Sequence, residues 1–138
     1  MGHYRVVEML LAAGANKETA TKAGCWTPLI IACRSGHLQV VGILLAAGAN
    51  LETQDEFGLN PLWNACLRPH NVPLIRMLLD VGANIYRHNQ KGEALLLDPT
   101  VSQKYRDILY EHHRDISLFR LLWTWYQRNE QVERDSFR

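Results

Sequence analysis

In the stretch GHLQVVGILLAAGAN (36–50), apolar residues recur at Leu38, Val41, Leu44 and Leu45, and Val40 and Ile43 widen the stripe. Spacing of three and four residues turns one face of a helix toward a core. Gly48 follows where a helix end favours a left-handed residue. Just upstream, WTPLIIAC (26–33) offers Thr27 as an N-cap and Pro28 at the first helical position, and Gly36 then stops the helix. The pattern predicts a short helix, a tight turn, a second helix and an extended loop over about 49–59.

This unit repeats. GHYRVVEMLLAAGAN (2–16) returns at 36–50 and, more loosely, as HNVPLIRMLLDVGAN (70–84), with an offset of 34 residues each time. WTPLIIAC (26–33) and LNPLWNAC (59–66) interleave with these copies at an offset of 33. One such unit cannot bury its apolar stripe alone, but stacked neighbours can, and the result is a solenoid.

Thr27-Pro28-Leu29 with Ala32, Gly36-His37, Val40-Val41, Leu44-Leu45 and Gly48-Ala49-Asn50 together resemble the ankyrin repeat family. The resemblance spans residues 2–97. It implies an all-α fold, an ankyrin-repeat solenoid of stacked helix-turn-helix units with hairpin-like loops and a C-terminal helical cap. The expected organisation is a partial first repeat, two full repeats and the start of a degenerate fourth within 1–97. Capping helices over 98–130 and a disordered tail over 131–138 follow.

The chain departs from the family pattern in several places. It opens at Gly2-His3, inside a repeat, so the apolar side of a helix over about 3–13 has no encoded cover; a fragment of a longer array or self-association would explain this. In the third unit Gly-His becomes His70-Asn71, with Asn71 expected to N-cap the next helix and Pro73 in its first turn. Ile30 and Trp63 stand where the family has a His that ties repeats together. Glu18, Glu52 and Tyr86 stand where some members carry a hydroxylated Asn, so no such modification is expected. In the fourth unit Ala94-Leu95-Leu96 replaces Thr-Pro-Leu, and Asp98-Pro99 ends the helix early. Thr100 is read as the start of a further helix with Val101, Tyr105, Ile108, Leu109 and His112 on one face. The apolar series continues through Ile116, Phe119, Leu122, Trp123 and Tyr126, either in one helix or, as preferred here, in two, with Asp115 capping the second.

Composition removes some alternatives. A formal net charge of +1, with basic residues scattered, gives no field that would draw nucleic acid or a membrane. No stretch approaches the roughly 18 uninterrupted apolar residues of a membrane span. Three cysteines without close pairing, and no secretory leader, fit a reducing intracellular compartment, cytoplasmic or nuclear.

Candidate chemistry is sparse. Glu111-His112-His113 lacks the spacing of a zinc site, since adjacent helical residues point about 100° apart. Cys33 and Cys66 occupy equivalent small-residue slots, which reads as packing rather than a metal pair; Cys25 is the most exposable thiol. The glycines serve as caps and turns. No enzyme, cofactor or metal is expected.

The resemblance implies a non-enzymatic scaffold that binds a partner protein through its concave face and loop tips. By register that surface takes in Trp26, Ile30, Arg34, Phe57, Leu59, Trp63, Leu67 and Arg68. Their apolar side chains would form one patch over two repeats, with the arginines beside the tryptophans. Packing of Trp26 on Trp63 is the competing reading. Within LFRLLWTWYQR (118–128), Trp125 is surplus to capping and forms a secondary contact candidate. The alternative to a scaffold is a structural or oligomerising segment, self-associating through the N-terminal face or the C-terminal aromatic helix. The chain is accordingly expected as a monomer or weak homodimer.

Overall fold

The computed structural model describes residues 3–112, 122 and 124–129. Six helices stack as α1 (Tyr4–Ala12), α2 (Pro28–Ser35), α3 (Leu38–Ala46), α4 (Pro61–Cys66), α5 (Val72–Asp80) and α6 (Gln103–His112), with a 3-10 turn at Leu95–Leu97 before the last. Residues 124–129 are also helical. Among the described residues there is no strand, only one isolated antiparallel bridge between His88 and Ala94.

The inner helices start as their sequences dictate. Thr27 Oγ1 accepts from Ile30 N at 3.3 Å, and Asn60 Oδ1 accepts from Trp63 N at 2.9 Å, each from an extended backbone with a proline next in line. Asn71 differs. It precedes α5, but its ψ is 19°, against 161° at Thr27 and 173° at Asn60, so its side chain does not cap the helix. Its Nδ2 instead donates to Ala65 O at 3.1 Å. Before it, His70 takes the left-handed φ of 64° that Gly36 supplies one repeat earlier at 75°.

The core runs the length of the stack. Leu29, Val41, Leu44, Leu62, Leu74, Ile75, Leu78, Leu95 and Leu109 are all buried in one continuous cluster. α1 lies at one end against α3, through half-buried Tyr4, Val7 and Leu11. None of its residues is fully buried, and Val6, Met9 and Leu10 are exposed. The equivalent positions one repeat on are Val40, Ile43 and Leu44, where α2 packs against α3 and buries the first and last.

At the other end α6 packs on α5. It begins at Gln103 rather than Thr100, because the Thr100 amide and hydroxyl both donate to Asp98 Oδ1, at 2.8 and 2.6 Å, and hold the chain in a turn. Val101, Tyr105, Ile108 and Leu109 are buried as their spacing predicts, but His112 is exposed. The choice between one and two helices after 112, the Asp115 cap and the tail fall outside the described residues.

Side-chain oxygens set the loops at fixed intervals. Asn16, Asn50 and Asn84 each accept, through Oδ1, the amide two residues on. Glu18 then accepts from Asn50 N at 2.9 Å, and Glu52 from Asn84 N at 3.2 Å, so each unit's glutamate holds the next unit's turn. Glu52 also pairs with Arg87 Nε at 3.1 Å. The tips are stitched by backbone bonds, Glu56 N to Gly24 O and Gln90 N to Phe57 O, each 3.0 Å. Gly58 sits inside this seam: a Cβ there would lie 2.7 Å from Gln90 N, and its φ is 78°.

Candidate protein-interaction surface

Trp63 and Ile30 are each 0% exposed, which corrects their place in a displayed patch. The indole of Trp63 passes inward, and its Nε1 donates to Asp98 Oδ2 at 2.9 Å. Burial alone would raise the Asp98 carboxyl. The hydroxyl and amide of Thr100, the Trp63 indole and the nearby Arg106 charge outweigh it and hold the group below the usual carboxylate range. Leu59 is half-buried, packed against the core.

The other positions do reach the surface. Phe57 is 56% exposed at the loop tip and Leu67 is 38% exposed at the end of α4, followed by exposed Arg68. Trp26 is half-buried, with its ring over Gly24, where a Cβ would come within 3.1 Å of the indole. The Arg34 guanidinium lies 4.9 Å from the centre of the Trp26 ring, within cation–π range. Trp26 Nε1 is buried and makes no hydrogen bond. Trp26 therefore pairs with Arg34 and with the second unit's own loop.

Ile31, absent from the sequence-derived set, is 41% exposed and lies one turn from Arg34 on the same face of α2. Helical rotation of about 100° per residue separates it from buried Ile30. The equivalent residue in α4 is Asn64, fully buried, whose Nδ2 donates to Asp55 Oδ2 at 3.1 Å and to two backbone carbonyls. Asp55 Oδ1 in turn accepts from the amides of Phe57 and Leu59, each at 2.9 Å, and thereby sets the tip that displays Phe57. An acid five residues ahead of the Asn-Pro pair was the available signal for this network.

Burial pushes the Cys33 thiol up to about 12 and raises Cys66 too, with neighbouring Cys33 and the Asp98 carboxylate further disfavouring a second thiolate at Cys66. Both stay protonated and pack as small apolar groups. Cys25 is exposed.

Trp125 is 62% exposed. With Leu122 and Tyr126 it faces Ile85, Tyr86 and Leu97 across an apolar cleft of about 280 Å³. No helix of the described residues is long and apolar enough to cross a membrane.

Short antiparallel helix pairs at a 34-residue step, joined by stitched loops, define a helical repeat protein. A family model for ankyrin repeats, in three copies, matches residues 1–89, and the chain belongs to that family. No curated protein matches the chain. Ankyrin repeats generally mediate protein–protein interaction and are typically non-enzymatic.

Proposed function

We propose that this chain is a non-enzymatic scaffold that binds a partner protein through the side of the stack carrying Ile31, Arg34, Leu67 and Arg68, together with the loop tips at Trp26 and Phe57. The stacked Arg34–Trp26 pair carries this reading. It holds a planar cation and an aromatic surface in a fixed orientation, and both residue types are enriched where binding energy concentrates. Ile31, Phe57 and Leu67 supply exposed apolar area beside it. Three free cysteines favour a reducing compartment, cytoplasm or nucleus.

The test is affinity capture from cell extract by the wild type and by Arg34→Glu and Phe57→Ala, with each thermal melt recorded. The reading expects partners held by the wild type to be lost from both variants while their melts stay within a few degrees. Unchanged capture by both variants would refute the surface.

A second reading rests on α1, whose Val6 and Leu10 are exposed in positions that other units bury, with exposed Met9 beside them. This face would support self-association into a weak homodimer. Light scattering over a hundredfold concentration range decides it, since a constant monomer mass removes the reading.

A further inference from the structure

A notch of about 380 Å³ opens between the end of α4, the turn into α5 and the start of α6. Its rim carries Arg68, His70 and Lys104, all exposed, with Thr100 and Ser102 between them. Among the described residues, no ion pair or side-chain hydrogen bond engages Arg68, His70 or Lys104, and no carboxylate lines the notch. Asp98, which holds Thr100 of the notch lining, is already satisfied by Trp63 and Thr100 and feels the Arg106 charge. Ser102 Oγ accepts from Tyr105 N at 3.4 Å, which leaves its own proton to donate outward.

The walls are held in register. Tyr105 Oη donates to Arg68 O at 2.7 Å and accepts from Asn71 N at 2.9 Å, so one phenol on α6 clamps both ends of the turn that carries His70. The backbone segments that carry Arg68 and Lys104, separated in sequence, are thus held together on either side of the notch. Two uncompensated cations and a free hydroxyl at the edge of an interaction surface match an anionic group.

We propose that this notch receives a carboxylate side chain from an acidic segment of the protein partner, with Arg68 and Lys104 as its charge contacts and Ser102 as a hydrogen-bond donor. The inference rests on the preceding reading in one respect: Leu67 and Arg68 border both surfaces, so a segment crossing the exposed end of α4 arrives at the notch.

The test is an NMR titration of the full chain with a hexaglutamate peptide, and with hexaglutamine as control. Shifts concentrated in residues 66–72 and 100–105 are expected with hexaglutamate alone, fading as salt rises. Lys104→Glu is expected to weaken the binding roughly tenfold or more, and Lys104→Gln to weaken it less; both lie on an exposed position, and unchanged amide spectra elsewhere check the fold. Arg34→Glu, which tests the other surface, is expected to leave the shifts at 66–72 and 100–105 in place. Equal binding of hexaglutamine, or indifference to Lys104→Glu, would overturn the proposal. Saturable binding of inorganic phosphate without hexaglutamate binding would overturn the carboxylate assignment in favour of a phosphorylated ligand.

Discussion

The indole Nε1 of Trp63 donates to Asp98 Oδ2 across 35 residues of sequence, at 2.9 Å. This bond joins the third unit's inner helix to the point where the degenerate fourth unit abandons its helix. Trp63 fills the site where the family's tying histidine would stand, and it ties in that histidine's stead.

Replacing Trp63 with Phe keeps most of the packing and removes the donor. A loss of about 1–2 kcal/mol is expected, against about 3–5 kcal/mol for Trp63→Ala. Urea unfolding followed by circular dichroism separates the two. A Phe variant as stable as wild type would show that the bond contributes nothing net.

Asp98 makes part of the stability depend on acid. Its folded pKa is depressed, so its contribution is fully present above the unfolded carboxylate value of about 3.9 and is lost as pH falls through the lower folded value. Asp98→Asn lacks this contribution at every pH. Guanidinium midpoints measured between about pH 2 and 6 should show the wild-type advantage over Asp98→Asn shrinking toward the acid end. A constant gap would contradict the assignment.

Glu52 performs two tasks with one carboxylate, holding Asn84 N and pairing with Arg87. The ion pair is partly exposed, so Arg87→Ala should cost no more than about 0.2–1 kcal/mol. Glu52→Ala also releases the amide of the next turn, and a loss of about 1–3 kcal/mol is expected. Equal losses in the two variants, read from denaturant midpoints, would mean that the amide bond is idle.

His70 holds a left-handed φ of 64° that a side chain tolerates poorly. His70→Gly relieves this at some cost in unfolded-chain entropy, and a net gain of about 0.5–1 kcal/mol is expected. A drop in melting temperature would mean that the imidazole makes a compensating contribution.

Much of this architecture is written locally. Thr27-Pro28 and Asn60-Pro61 start their helices as their side chains demand, and Val40, Val41 and Leu44 of the α3 stripe are buried, whereas Leu38, at the start of that stripe, is exposed because it sits at the helix's open N-terminal end. The surface was harder to read. Ile30 and Ile31 are chemically alike, and register alone decides which one meets solvent, so an error of one residue exchanges core for surface. Register alone places Trp63 on the displayed side, because its acceptor, Asp98, lies 35 residues away in a unit whose motif has decayed. No local pattern encodes that pairing. Phe57, Leu67 and Arg68 were legible as exposed, since the repeat's own packing makes no use of them. The notch depends on Tyr105 reaching back to the turn at 68–71, a contact between units that periodicity does not specify.

The glutamate contacts of the loops also give the array a grammar of extension. Glu18 and Glu52 each hold the Asn of the following unit, and the third position in that series is Tyr86, which has no carboxylate to offer. Duplicating residues 17–50 would supply a new acceptor and a new donor together, so the stack could lengthen in its interior without a fault. A unit grafted after residue 97 would arrive without its latch. The solenoid is therefore extensible from within, where each inserted unit brings its own latch.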